Sequence, residues 1–160
     1  MNKIVIRPLR DAAEARLCAE FVGASEPWIT LGVSVQMAFE RLTDSSREVH
    51  VALQGGQICG VLSLFLAGPL NGYIQLLAVH PEFRGRGIGT RLVAFAEQKI
   101  FLQSPNVFLC VSSFNRQAQK FYARLGYKRI GEFPDYVVKG HSEILMRKTR
   151  GPLMGFKPGG

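Results

Sequence analysis

Between Arg47 and Ile100 the chain runs through two apolar, strand-like segments, a third such segment, a loop spelled RGRGIG, and then a helical pattern. That order constrains the fold more than any other feature. In "REVHVALQGGQICGVLSLFL" the pair Gly55-Gly56 tolerates the positive φ angles of a tight turn, so the flanking runs predict an antiparallel hairpin. Pro81 stops the next strand, "YIQLLAVHP" (Tyr73 to Pro81). Ile88, Leu92, Phe95, Ala96, Lys99 and Ile100 then keep the spacing of a helix face. A dinucleotide-binding fold would open with a βαβ unit; here hairpin strands come first.

The remaining segments extend the pattern. "KIVIRPL" (Lys3 to Leu9) alternates as a strand ended by Pro8. Asp11 offers an N-cap with Glu14 three residues on, a capping box; Leu17, Cys18, Phe21 and Val22 share a helical face stopped by Gly23. "ASEPWITLG" is a loop, and Ser34 to Leu42 a second, short helix. "NVFLCV" (Asn106 to Val111) is apolar throughout, which predicts a strand covered on both faces. Asn115 can cap a helix bearing Ala118, Phe121, Tyr122 and Leu125, closed by Gly126. Tyr127 to Phe133 and Ser142 to Met146 make two last strands. The expected order is β-α-α-β-β-β-α-β-α-β-β, an α/β (α+β) fold on a mixed, partly antiparallel sheet of about seven strands. Residues 3–148 would form one domain, and the Gly/Pro-rich 149–160 a tail that is mobile or laid over the surface.

A length of 160 residues, 47% of them apolar, suits one globular domain. No apolar run approaches the roughly 18 residues of a membrane span, so no membrane partner is expected. "MNKIVIRPLR" lacks the pattern of a secretory leader, which predicts an intracellular, cytoplasmic protein. Cys18, Cys59 and Cys110 form no C-x-x-C pair; they are expected as buried hydrophobes, with neither a disulfide framework nor a metal site. The net charge of +8 favours a polyanionic partner: nucleic acid, an acidic membrane face or a phosphate-rich cofactor. The basic residues are dispersed and no nucleic-acid recognition motif is present, which weighs against the first.

The tightest basic cluster lies in "HPEFRGRGIGTRL", where glycines alternate with Arg84 and Arg86. Without Cβ atoms the backbone can turn sharply and touch a ligand. Converging amides at the start of a helix attract anions, and guanidinium forks suit phosphate oxygens. A strand before and an amphipathic helix after the loop predict a bound phosphate or pyrophosphate. Gly89-Thr90-Arg91 departs from the G-K-[ST] ending of a P-loop, and Gly85, Gly87 and Gly89 are spaced unlike G-x-G-x-x-G.

Arg84-x-x-Gly87-x-Gly89 matches the [Q/R]-x-x-G-x-[G/A] acetyl-CoA motif, and the chain resembles the GNAT superfamily of N-acetyltransferases. "LLAVHPEF" is similar to that family's central strand and its exit, and "NRQAQKFYARLGY" to its second signature. The resemblance covers residues 3 to about 148. It implies a bulged central strand splayed from its parallel neighbour, with acetyl-CoA as co-substrate in the slot. Backbone groups of Leu77, Ala78 and Val79 would bond the pantetheine arm. The pyrophosphate would rest on amides of Arg84, Gly85, Arg86, Gly87, Ile88, Gly89 and Thr90. Asn115 would contact the pantetheine, besides its role as a cap. Tyr122, also legible as a core aromatic, would donate to the departing thiolate.

An alkyl amine, with a pKa of about 10.4, must lose a proton before attack, so a base or water chain is expected. Ribosomal-protein N-terminal acetyltransferases keep a glutamate five residues before the signature Asn, where this chain has Cys110. Histone-type relatives keep one six residues before the valine that ends the central strand, where this chain has Tyr73. The remaining candidates are Glu26, with Trp28 beside it as a wall, then His50, His141 and Glu143. Glu26 also reads as a solvated loop carboxylate, His141 and Glu143 as residues of a surface turn, and His50 and His80 as structural. The expected reaction is acetyl transfer to a primary amine on a small molecule, peptide or protein. The alternatives are a non-catalytic acetyl-CoA-binding module and, on charge alone, a nucleic-acid-binding domain. Pairing of the last hairpin or tail with a second copy is left open.

Overall fold

Gly55 and Gly56 have φ of 60° and 82°, and the hairpin they turn joins β2 (Glu48–Gln54) to β3 (Gln57–Phe65). β1 (Ile4–Pro8) pairs antiparallel with β2 on one side, and β4 (Tyr73–Val79) antiparallel with β3 on the other. The computed structural model, which describes residues 3–159, completes the sheet with β5 (Asn106–Ser112), β6 (Lys128–Phe133) and β7 (Glu143–Thr149). The strand order is β1-β2-β3-β4-β5-β7-β6, and β4 with β5 is its parallel pair. The helices are α1 (Ala12–Gly23), α2 (Val35–Thr43), α3 (Ile88–Ile100) and α4 (Arg116–Arg124). The expected element order and mixed sheet are therefore present, with a short 3-10 turn (Pro81–Phe83) added after β4. Gly160, the last residue of the expected tail, lies outside the described residues.

Local details differ from the sequence reading for physical reasons. Pro8 closes β1 from within it, which costs little because β1 is an edge strand and needs no further partner there. Asp11 caps α1 by accepting from the Glu14 amide at 2.9 Å. Glu14 does not complete the box; its carboxylate takes the Arg10 amide at 3.0 Å and the Arg7 guanidinium at 2.6 and 2.9 Å. β7 runs on to Thr149, and Arg150 stays with the body, donating its amide to the Pro105 carbonyl at 2.8 Å and covering the Phe101 ring.

Two apolar layers sandwich the sheet. Leu62, Leu64, Ile74, Leu109 and Ile144 meet α3 on one face. Val51, Val61, Leu76 and Ala78 meet α1 and α2 on the other. Ile74 and Leu76 lie in opposite layers although two residues apart, because Gln75 is an extra residue: Leu64 and Ser63 of β3 pair with Ile74 and Leu76. This bulge turns β4 away from β5, and their pairing is confined to Tyr73–Phe108 and Ile74–Leu109. β7 keeps full register with β5, from Asn106–Thr149 to Ser112–Glu143. Lys148 and Tyr127 both bond Glu97 of α3 (2.9 and 3.1 Å), which ties β7 to that helix.

Candidate active site

Where β4 and β5 part, a cleft of about 1370 Å³ opens through the sheet. One half of it lies beside α3. Leu77, Ala78 and Val79 line it, each paired with β3 on one side and facing the gap to β5 on the other. The glycine loop follows, with φ of 73° at Gly85 and 76° at Gly87, left-handed values that favour glycine. Gly87 is the N-cap of α3 and supplies no side chain to its amides. The first helical bond runs from Arg91 N–H to the Gly87 carbonyl (3.1 Å), so the amides of Ile88, Gly89 and Thr90 have no acceptor within the helix. A Cβ on Gly89 would come within 3.3 Å of Phe121, so that glycine also lets α4 close on α3.

Arg84, Gly85, Gly87, Ile88, Gly89 and Thr90 all line the cleft. Arg84 donates from Nε to the Val79 carbonyl at 3.3 Å and is otherwise exposed. The Arg86 side chain goes elsewhere: it bonds Gln54 and the Glu82 carbonyl (3.3 and 3.0 Å) and lies over Phe83. Lying between two positive-φ glycines, Arg86 sits on the outside of the turn, leaving its amide as what it can offer an anion. Asn115 accepts from the Ala118 amide through Oδ1 at 3.2 Å, which caps α4 and leaves its amide NH₂ as a donor at the cleft.

Tyr122 lines the cleft from α4, 8% exposed and edge-on to Phe121 and Tyr127. Burial pushes its hydroxyl pKa up, so at neutral pH it is a donor and not a base.

The second half lies between the α1–α2 loop, β7 and the β6–β7 loop. Glu26 lines it but is exposed, and its carboxylate accepts from the Thr30 amide and hydroxyl at 3.1 and 2.9 Å. Glu143 does not lie on a surface turn. It is the first residue of β7, 6% exposed, and accepts a 2.7 Å hydrogen bond from Ser112 Oγ across the ladder. Burial raises its pKa and the Ser112 bond partly opposes that. Tyr73 and Cys110 lie together beside it, and burial raises the pKa of both, which keeps them in their neutral forms. The two positions where relatives keep a glutamate thus come together, and a carboxylate reaches the same place from the next strand.

Other expected candidates fall outside the cleft lining. His50 is buried on the α3 side against Phe95 (4.8 Å between ring centroids), where burial lowers its pKa. His141 packs edge-on to Phe114. His80 accepts from the Glu82 amide at 3.3 Å and so ends β4 with a capped turn. Cys18 and Cys59 are buried as expected, whereas Cys110 is half-buried at the cleft. Three lining arginines escaped the sequence reading: Arg41 of α2, Arg47 just before β2 and Arg124 of α4. For Arg47 a signal existed: it shares the parity of Val49 and Val51, which face α1 and α2.

Among the described residues no helix is long and apolar enough to cross a membrane.

Comparisons with known proteins agree with this geometry. The model of the Acetyltransferase (GNAT) family matches residues 11–127. N-alpha-acetyltransferase RimI of Mycobacterium tuberculosis is 32% identical over 149 residues, 87% of this chain and 89% of that protein. The aminoalkylphosphonate N-acetyltransferase of Salmonella typhimurium is 34% identical over 94 residues, 55% of this chain and 61% of that protein. The stretch shared with an uncharacterized Mycobacterium leprae protein, 30% identical, covers 84% of this chain and 36% of that longer protein. In fold, aminoglycoside 6'-acetyltransferase type Ii superposes with a TM-score of 0.74 at 21% identity, over 92% of this chain and 98% of that one. The motif-bearing loop, the bulged strand and the family match over residues 11–127 agree, and the chain belongs to the GNAT acetyltransferase family.

Proposed function

We propose that this protein transfers the acetyl group of acetyl-CoA to a primary amine by direct attack, with Glu143 as the base and Tyr122 as donor to the leaving thiolate. One observation carries the reading. A single cleft is lined by an uncapped helix N-terminus, an open β4 edge, a buried carboxylate and a protonated tyrosine.

The fit to the cofactor rests on the main chain. The Arg84 amide is bonded to the Pro81 carbonyl at 3.3 Å, so amides from Gly85 to Thr90 would hold the pyrophosphate, and the β4 edge at Leu77, Ala78 and Val79 would pair with the pantetheine as an added strand. The Asn115 amide would bind the same arm. The amine nitrogen would form a bond to the acetyl carbon as the carbon–sulfur bond breaks. Its surplus proton would pass to Glu143, whose raised pKa makes it a better proton acceptor than an ordinary carboxylate. The Tyr122 hydroxyl would bond or protonate the thiolate, a modest aid because a thiol of pKa about 8–9 leaves readily. Glu26, tied to Thr30, would border the acceptor and not take its proton. No metal is called for in these steps. The reading takes residues 3–148 as the catalytic domain, with 149–160 appended, and the cytoplasm as its place of action.

Release of free thiol from acetyl-CoA, measured against a panel of amines, tests the reading. Amine-dependent release that falls in the Glu143→Gln variant is expected. Tight acetyl-CoA binding with no release for any amine would favour the non-catalytic module instead. DNA binding that weakens with salt and ignores acetyl-CoA would favour the nucleic-acid reading.

A further inference from the structure

We propose that Arg41 and Arg47 form an anion subsite at the acceptor end of the cleft, so that the acceptor is a small amine also carrying an acidic group, a carboxylate or a phosphonate. The inference rests on the acetyl-transfer reading above.

Both guanidiniums line the cleft, and both come from the corner where α2 turns into β2. Arg47 is held there firmly. Its guanidinium lies 4.4 Å over the Phe65 ring, its side chain is 22% exposed, and its Nε is fully buried without a hydrogen-bond acceptor. The Asp44 carboxylate accepts from the Ser46 amide and hydroxyl on Oδ1 at 2.8 and 2.7 Å, and its Oδ2 makes a long ion pair with Arg47 Nε at 4.0 Å, too far for a hydrogen bond. Among the described residues Arg41 has no ion pair. The Arg47 guanidinium spends no donor on a hydrogen-bond acceptor among the described residues, and an anion arriving through the cleft would take its Nη donors.

The same cleft carries a carboxylate, Glu143 on β7, whose neighbours Tyr73 and Cys110 are both neutral. Glu26 is the further carboxylate of this half, and Thr30 occupies both its oxygens. A polyamine would meet two cations here, Arg41 with no ion pair among the described residues and Arg47 with only the long one to Asp44. A zwitterionic acceptor would place its nitrogen by Glu143 and its acid by the arginines. Phe65, Trp28 and Leu31 would border the carbon chain between.

The test compares matched amines in thiol release: 3-aminopropanoate, 2-aminoethylphosphonate, propylamine and 1,3-diaminopropane. The two acidic amines should exceed propylamine by about 10- to 100-fold in kcat/KM, the range of a charge-assisted hydrogen bond. Their ranking distinguishes carboxylate from phosphonate. Arg47→Gln and Arg41→Gln should each shrink that ratio, while Arg47→Lys restores part of it and acetyl-CoA affinity by calorimetry stays unchanged. Equal use of propylamine, preference for the diamine, or a ratio untouched by both variants would overturn the proposal. If calorimetry showed no acetyl-CoA binding by the unaltered protein, the parent reading would fail with it. Binding and turnover without acid preference would sink the subsite alone.

Discussion

The half of the cleft beside α3 is built from main chain, whereas the half beside β7 is built from side chains. Amides of Ile88, Gly89 and Thr90 and the free edge of β4 make the first; Glu143, Tyr73, Cys110, Arg41 and Arg47 make the second. The first depends on glycines that withhold atoms, the second on ionisable groups brought together from α2, β2, β4, β5 and β7. Such a division lets one fold keep one acyl donor while the acceptor varies, because main-chain geometry tolerates sequence drift and a cluster of charged side chains does not.

The largest expected effect breaks the second half. Glu143→Gln keeps an oxygen for Ser112 but cannot take a proton, so kcat should fall by about 100-fold or more. The acid limb of the pH profile for kcat/KM should flatten with it. Stability should move the other way. A carboxylate whose folded pKa is raised contributes stability below its ordinary value and loses it as pH rises through the folded one. At pH 7 the Gln variant should therefore melt no lower than the parent, and a lower Tm would mark Glu143 as structural.

Breaking the first half should act on binding. Gly87→Val forces a β-branched residue to a φ of 76° at the cap of α3. The strain, about 1–2 kcal/mol, should displace the loop amides and weaken acetyl-CoA binding by about tenfold or more in calorimetry. An unchanged affinity would remove the loop from the cofactor site. Tyr122→Phe sharpens the boundary between halves: kcat should drop by about tenfold with little change in acetyl-CoA affinity. Equal loss of both would assign Tyr122 to packing against Phe121 and Tyr127.

The smallest effect should lie outside the cleft. Glu14, whose pKa the Arg7 guanidinium pulls down to about 2, contributes its stability above the ordinary carboxylate value near 4. That contribution is lost as pH falls toward about 2. Glu14→Gln should cost about 1 kcal/mol at pH 7 and little near pH 2, with kinetic constants unmoved, as thermal melts and the thiol assay would show. A kinetic change would mean that the α1 terminus couples to the acceptor half.

Much of this was legible in order along the chain. Helix α3 begins after Gly87, and α4 begins and ends where Asn115 and Gly126 stand, because caps act within a few residues. The glycine loop was legible for the same reason. The β4 bulge was expected from family resemblance alone; Gln75 has no local signature of an extra residue, which shows only in the switch of Ile74 and Leu76 between layers. Glu143 was named but taken for a surface residue. It lies next to a polar hairpin loop in sequence, and its burial follows from pairing with Ser112, 31 positions earlier.

The sequence by itself determined the elements, their order, the glycine cradle and the family, because those depend on periodicity, capping and backbone freedom within short windows. The tertiary structure alone decided that Arg86 turns outward, that Tyr73 and Cys110 meet, and that Glu143, Arg41 and Arg47 line one cleft. Those facts depend on which strands pair and on the splay introduced by one bulge. Contacts of that kind join residues far apart in the chain, and no local pattern encodes their distance.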